Sequence, residues 1–185
     1  MERSAGIKVL LVLAAVAVLA GCGGGPRMIR AEQELKAGPD KALIVFLSPM
    51  VVGGHVQSWD GEKFIGFIEP RTSVSYLAKP GEHMFLLRDE NWQIVKGKVS
   101  AGKTYYIKIE PRVGVGIYSS GVRVSVEVLD PNDRRIKEWM QTLRPIQLAD
   151  PEKGEAFERK YARHVTKAMN NVESGKATSI PLNPK

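Results

Sequence analysis

Apolar residues in the middle of the chain occur in short runs that are separated by turn residues. Residues 42–47 (ALIVFL) form a continuous apolar run of the length of a central strand, and this run ends at Ser48-Pro49. At residues 122–128, valines alternate with polar side chains. A period of two places one kind of side chain on each face of a strand. The two patterns predict a central strand and a strand with one dry and one wet face.

Turn signals divide this region into strands of similar length. The predicted strands are residues 42–47, 56–59, 63–68, 73–77, 82–88, 92–99, 104–110 and 122–128. Asp60-Gly61 and Lys79-Pro80-Gly81 suit tight turns, because glycine adopts positive φ angles without strain. Parallel neighbours would need helical crossovers, which this region lacks. We therefore expect a mainly β fold, an antiparallel β-sandwich of about seven or eight strands, with one or two C-terminal α-helices.

Helix signals follow the strands. Residues 133–143 predict a short helix, and Asp150-Pro151 is a strong helix start, because an N-cap is followed by proline at the first helical position. Gly175 ends the second helix. The apolar residues of the second helix form one stripe, which comprises Ala156, Phe157, Tyr161, His164, Val165, Ala168, Met169 and Val172. We expect this stripe to pack on the sandwich or on a partner.

The N-terminal residues have the layout of a secretory signal. Arg3 and Lys8 precede an apolar run at residues 9–20, and Gly21-Cys22 follows it. As a helix, this run spans about 18 Å, which is too short for the roughly 30 Å hydrocarbon core of a bilayer. We expect the segment to be cleaved rather than to remain as a transmembrane anchor.

These signals divide the chain into five parts. We expect a signal peptide at residues 1–21, a flexible tether at 22–40, a β-sandwich domain at 41–130, a helical segment at 131–175 and a loose tail at 176–185. The tether prediction depends on Gly23-Gly24-Gly25-Pro26, because these residues cannot build a core. Within the tether, residues 28–36 are expected to form a helical turn.

Composition narrows the class of protein. Of the 185 residues, 43% are hydrophobic and 25% are charged, which is typical of neither a disordered tail nor a polytopic membrane protein. The net charge of +7 suits an anionic envelope. The sequence contains no dense Lys/Arg run, however, so solubility alone is sufficient to explain this charge. The export signal disfavours nucleic acid as a partner. Cys22 is the only cysteine, which excludes an intramolecular disulfide and a thiolate metal cage.

Catalytic and metal-binding motifs are missing from the sequence. His55, His83 and His164 lie on separate predicted elements, and the sequence contains no histidine pair at helical spacing and no Gly-x-Ser-x-Gly motif. We therefore predict no catalytic, cofactor-binding or metal-ligating residues, and a protein that is not an enzyme. Carboxylate pairs that meet only in the folded chain are not visible in a sequence.

One candidate surface contact lies around a glycine-rich stretch at residues 112–121. This stretch joins two predicted strands rather than a strand and a helix, so it predicts a long hairpin loop and not a phosphate-binding loop. Alternation places Tyr106, Lys108 and Arg123 on the wet face of the flanking strands, and Tyr118 lies in the loop. An exposed tyrosine beside cations can contact a glycan or a protein. The alternative is that Tyr106 only covers the neighbouring strand.

The segment Leu19-Ala20-Gly21-Cys22 resembles the bacterial lipobox. The resemblance implies cleavage before Cys22, a diacylglyceryl group on its sulfur and an acyl chain such as palmitate on the new amino group. Two or three acyl chains hold a protein on a bilayer stably, whereas one chain does not. Gly23 in place of Asp implies forwarding to the outer membrane in double-membraned bacteria of the enteric type.

Turn motifs of the strand region resemble those of uncharacterised bacterial lipoproteins with a PEGA-like β-sandwich domain. The matching motifs are Lys41-Ala42-Leu43-Ile44-Val45-Phe46-Leu47-Ser48-Pro49, Trp59-Asp60-Gly61-Glu62-Lys63-Phe64-Ile65-Gly66, Lys79-Pro80-Gly81-Glu82-His83 and Ala101-Gly102-Lys103-Thr104-Tyr105-Tyr106. The resemblance covers residues 41–129 and implies the sandwich fold rather than an activity. Together with the signal layout and the missing catalytic motifs, it leads us to expect a periplasm-facing envelope lipoprotein without cofactors, which acts as a non-catalytic binding or scaffolding module. Its partners would be membrane lipid, through acylated Cys22, and an envelope protein or glycan.

Two other functions stay open at this point. One is an envelope hydrolase or isomerase that uses carboxylates of the sandwich. The other is a subunit of an envelope transport or secretion assembly. In that case Phe157, Tyr161, Val165 and Met169 would face solvent in the isolated chain, ready for a neighbouring subunit.

Overall fold

Two β-sheets pack face to face in the computed structural model, and each carries one helix on its outer side. The structure describes residues 25–51, 53–113 and 122–183. These residues form eleven strands and two helices: β1 (Met28–Arg30), β2 (Ala42–Ser48), β3 (Val56–Asp60), β4 (Lys63–Ile68), β5 (Thr72–Ala78), β6 (Gly81–Arg88), β7 (Trp92–Val99), β8 (Thr104–Val113), β9 (Val122–Leu129), α1 (Arg134–Thr142), β10 (Arg144–Leu148), α2 (Pro151–Glu173) and β11 (Ile180–Pro181). Within this part of the chain, no helix is both long and apolar enough to cross a membrane.

The strands form two mixed sheets. The first sheet has the strand order β1-β10-β5-β2-β8-β9, and the second has the order β11-β7-β6-β3-β4. The mainly β fold is confirmed, but the expectation of a purely antiparallel sandwich is wrong, because β2 runs parallel to β8, β10 to β5 and β11 to β7. Between β2 and β8 the chain passes through the second sheet, as β3, β4, β6 and β7. Those strands supply the crossover that was expected to need a helix.

Strand β2 lies in the middle of the first sheet and is buried along its whole length. Ile44 and Phe46 point between the two sheets, where the Phe46 and Phe85 rings meet edge to face with 6.0 Å between their centroids. Val45 and Leu47 point to the opposite face and pack in the cluster that includes residues of α1. Burial on both faces therefore explains the continuous apolar run, and each such side chain contributes about 1.5–3 kcal/mol to stability.

Both helices begin after a capping aspartate, of which only Asp150 was predicted as a cap from the sequence. The Asp133 carboxylate accepts a hydrogen bond from the Arg135 N–H at 2.9 Å, and the Asp150 carboxylate accepts one from the Glu152 N–H at 3.0 Å. These bonds satisfy N–H groups that have no partner inside a helix. Beyond α2, Gly175 has a φ of 72°, the left-handed conformation that commonly ends helices.

The apolar stripe of α2 packs against the outer face of the second sheet. Val165 is fully buried there, and the Phe157 ring stacks on Trp59 with 5.8 Å between centroids. Tyr161 and Met169 are partly buried against the same cluster. The expectation of a solvent-facing stripe, which belonged to the assembly-subunit hypothesis, is therefore wrong.

Both ends of the described chain are more structured than expected. In the predicted tether, Met28–Arg30 pairs with β10 instead of forming a helical turn. In the predicted loose tail, Ile180–Pro181 pairs with β7, and Leu182 is 1% exposed. The tail lies close because Gly97 has no side chain: a Cβ there would be 2.8 Å from the Leu182 Cβ. Strands of two or three residues are too short to show a period in the sequence.

Candidate binding cleft

The predicted contact residues on β8 are covered by α1. Lys108 is only 8% exposed, and Tyr106 packs partly buried in the cluster beneath α1. The Lys108 ammonium lies 2.6 Å from the Glu110 carboxylate, 3.1 Å from the Glu127 carboxylate and 5.7 Å from the centroid of the Trp139 ring. The expectation that these side chains face water is wrong, because α1 folds back over this face of the sheet and strand alternation does not reveal a covering layer.

The charges around α1 form one network. Burial alone would lower the pKa of Lys108, but hydrogen bonds to Glu110 and Glu127 raise it above its ordinary value. The Arg135 guanidinium bonds to Glu127 and Asp133, and it lowers the pKa of both carboxyls, that of Asp133 to about 2. This network fixes α1 on the sheet; Lys108 is one of its members and not a free contact residue.

The structure does not describe the side chains of the other two predicted contact residues, Arg123 and Tyr118. Arg123 lies on β9 opposite Arg112 in the strand register, and its side chain is not described. Tyr118 and the predicted lipidation residue Cys22 lie outside the described residues. A contact surface made of the four predicted residues is therefore not supported by the fold.

A cluster of polar side chains lies between the two sheets, near the ends of interior strands. The His83 Nδ1 lies 2.8 Å from the nearer carboxylate oxygen of Asp60, and its Nε2 lies 2.7 Å from the Lys79 carbonyl oxygen. The Tyr76 side chain, from the first sheet, lies near the Asp60 carboxylate, and burial together with that negative charge raises the pKa of the tyrosine. Sequence reasoning missed this cluster because its members lie on different strands.

This cluster is better suited to fixing the fold than to catalysis. Both ring nitrogens of His83 are engaged by protein oxygens, so neither is available to a substrate as a general base. Both oxygens of the Asp60 carboxylate lie within 2.9 Å of the His83 Nδ1. Elsewhere among the described residues, no group of three His, Cys, Asp or Glu side chains could hold a metal ion.

A cleft of about 300 Å³ lies on the outer face of the first sheet, beside α1. Its floor contains Ser73 and Ser75 of β5, and one wall is the segment at residues 31–35. The opposite wall comes from α1 and from the chain that follows it. The lining residues are Ala31, Glu32, Gln33, Glu34, Leu35, Ser73, Ser75, Met140, Leu143, Pro145, Ile146 and Gln147.

The cleft exists because β5 changes from large to small side chains along its outer face. Leu77 fills the space beneath the neighbouring residues Leu35 and Ala37, whereas Ser73 and Ser75 are too small to do so further along the strand. The floor thus carries hydroxyl groups between apolar walls. The sequence did not reveal the cleft, because its two walls are more than a hundred residues apart and β10 was not predicted.

The charge of the cleft is opposite to that of the whole protein. Glu32 and Glu34 are its charged lining residues, both are exposed, and the chain as a whole carries a net charge of +7. Met140, on the other wall, is 40% exposed. The cleft therefore offers an apolar surface with a hydroxyl floor and an acidic rim, which is complementary to an apolar group next to a cation.

Comparisons with known proteins do not assign this site. No protein-family model matches the chain, and neither the curated proteins nor the solved structures contain a significant match. The resemblance to PEGA-like lipoproteins stays a prediction from the sequence.

Proposed function

We propose that this protein is a membrane-tethered envelope lipoprotein, anchored through acylated Cys22, and that its β-sandwich is a non-catalytic binding module. The binding site is the cleft over β5. The anchor and the periplasmic location are supported by the signal layout and by Leu19-Ala20-Gly21-Cys22. The outer membrane is supported by Gly23.

The shape and charge of the cleft carry the proposal. A volume of about 300 Å³ is at the lower end of small-ligand pockets, which suits one or two side chains better than a large cofactor. The apolar walls favour a buried hydrocarbon group, and the rim of Glu32 and Glu34 favours a cation beside it. The occupant is therefore an apolar side chain flanked by lysine or arginine, on an envelope protein.

The two alternative functions draw less support from the structure. An envelope hydrolase or isomerase would need free, converging carboxylates, whereas Asp60 is engaged by His83. The assembly subunit was argued from a free apolar stripe, and that stripe packs on the second sheet.

Photo-crosslinking from the rim tests the proposed site. A photoreactive amino acid at Met140, in cells that make the full-length lipidated protein, is expected to give an adduct with a defined envelope protein. Ser75→Leu fills the cleft floor and is expected to reduce the adduct at least about tenfold, which corresponds to a loss of about 1.4 kcal/mol of binding free energy. Ser125→Leu is the matched control, because Ser125 is a partly exposed residue of β9, at the far edge of the same sheet.

The crosslinked segment of the partner provides a second criterion. We expect it to contain an apolar residue with lysine or arginine beside it, and we expect Glu32→Gln with Glu34→Gln to weaken its capture. An adduct that is unchanged by Ser75→Leu, or a crosslinked segment with acidic flanks, would show that the cleft is not the binding site.

A further inference from the structure

The outward face of α2 carries a cluster of basic side chains. Arg159, Lys160, Arg163 and Lys167 are all exposed, and the helix contains no Asp or Glu between Glu158 and Glu173. A shallow groove of about 440 Å³ runs along the same face and is lined by Ala162, Arg163, Thr166, Lys167, Asn170 and Asn171. We call this surface the basic face of α2.

The spacing of these cations is unfavourable for the helix itself. Arg159, Arg163 and Lys167 follow one another at intervals of four residues, which places like charges side by side on one row of the helix. The ion pairs found among the described residues include none of the four cations. Two carboxylates lie at the border: Glu155 continues the row four residues before Arg159, and Glu62 accepts a hydrogen bond from Thr166 at 3.0 Å. The row is therefore open to an external anion.

The proposed anchor lies next to the start of α2. The Arg27 carbonyl accepts a hydrogen bond from the Ala149 N–H at 2.9 Å, two residues before α2 begins at Pro151. The chain is thus part of the fold from Arg27 onward, five residues after Cys22. Fully extended, five residues reach at most about 18 Å. A lipid on Cys22 would hold the beginning of α2 close to the bilayer surface.

The helix is long enough to lie along that surface. Lys167 is sixteen residues beyond Pro151, which corresponds to about 24 Å along the axis of a helix. All four cations are therefore within reach of headgroups around the anchor. A short tether keeps the local concentration of headgroups high. Individually weak contacts between the cations and the headgroups are therefore sufficient to hold α2 on the bilayer surface.

We propose that the basic face of α2 is a docking surface for the phosphate headgroups of the anionic bilayer that holds the lipid anchor. This inference depends on the proposed lipidation of Cys22. The two helices cover opposite sides of the paired sheets, so a molecule lying on α2 presents α1 and the cleft away from the membrane. The membrane contact and the binding cleft are then on opposite faces and can be occupied at the same time.

Fluorescence quenching in nanodiscs tests the orientation. Intact mass first establishes that the full-length product carries acyl chains, so that an introduced cysteine is the only free thiol. A dye is attached at Ala162→Cys on the basic face or at Lys137→Cys on α1, both of which are exposed positions. With a nitroxide on the lipid headgroups and about a third of the lipid as phosphatidylglycerol, we expect quenching at residue 162 to exceed that at residue 137 severalfold. The difference should shrink in phosphatidylcholine discs and at about 0.5 M salt.

Charge removal provides the decisive comparison. We expect a triple variant to abolish the difference in quenching between the two dye positions. It carries Arg159→Gln, Arg163→Gln and Lys167→Gln. Lys79→Gln with Lys103→Gln and Arg134→Gln removes the same charge from exposed positions elsewhere and should leave the difference intact. Equal quenching at both positions, or quenching that survives removal of the three α2 cations, would overturn the inference. If the fluorescence of the dye at residue 162 responds only when an anionic glycan is added, and not to the lipid, the inference is also overturned, and the glycan is the ligand of this face.

The proposed lipid anchor and the proposed membrane contact of the basic face can be refuted independently. A product without acyl mass contradicts the proposed function. In that case, binding of the same unlipidated chain to phosphatidylglycerol discs, with and without the three α2 substitutions, still decides the role of the basic face. Binding that is at least about tenfold weaker without those cations supports the role, and equal binding refutes it.

Discussion

Close approaches at glycine connect the outer elements to the sheets. A Cβ on Gly97 would lie 2.8 Å from the Leu182 Cβ, and a Cβ on Gly154 would lie 2.7 Å from the Leu148 Cδ2. The first contact holds the C-terminal strand on β7, and the second holds the start of α2 on β10. At both positions the absent side chain is what allows the neighbouring element to pack.

Gly97→Ala tests the close packing between Gly97 and Leu182 by adding a single methyl group. Because the new Cβ meets the first carbon of the Leu182 side chain, the segment must shift, and we expect the free energy of unfolding to fall by about 1–3 kcal/mol. Denaturant unfolding monitored by tryptophan fluorescence measures the change. Gly25→Ala is the control with no effect, since no atom lies within 4 Å of its Cβ. A Gly97→Ala protein as stable as the control would contradict the close packing.

Among the elements, α1 depends most on charge. Its N-cap, Asp133, bonds to both the backbone and the side chain of Arg135, and Arg135 links α1 to Glu127 on β9. The same helix covers Lys108 with its Trp139 ring and forms one wall of the cleft through Met140. Loss of the charge network would therefore loosen the cleft wall as well as the helix.

The low pKa of Asp133 predicts how stability depends on acid. Hydrogen bonds from Arg135 lower this pKa from 3.8 to about 2, so the unfolded chain binds a proton more readily than the folded chain does between these values. We expect the stabilisation to be complete above about pH 4 and to be lost as the pH falls towards 2. Asp133→Asn keeps a capping acceptor but removes the charge. Thermal unfolding from pH 2 to 5 should show a flatter pH dependence for this variant, and an identical dependence would contradict the network.

At the scale of the whole molecule, the layered arrangement separates two surfaces. The cleft and α1 lie on the first sheet, and the basic face of α2 lies outside the second sheet. If the proposed anchor is present beside the start of α2, this arrangement suits a protein that lies on a membrane and binds a partner from the aqueous side. The binding function and the attachment then place no conflicting demands on one surface.

The sequence revealed the parts of this fold that have a local signal. The eight strands between residues 42 and 129 and both helices follow from local signals, which include strand alternation, turn glycines and the helix start at Asp150-Pro151. Strand β10 escaped prediction because Pro145 lacks an N–H and argues against a strand. Tyr106 and Lys108 were misplaced because alternation assigns a face without showing that α1 covers it. The cleft depends on contacts between distant segments, for which a single sequence carries no signal.

Intact mass spectrometry of the protein, purified from the membranes of cells that produce it naturally, tests the central claim most directly. We expect a chain that begins at residue 22 and carries the added mass of a diacylglyceryl group and an amide-linked acyl chain. A chain with an unmodified cysteine at position 22, or one that keeps residues 1–21, would contradict the lipid anchor and with it the location assigned to the binding cleft.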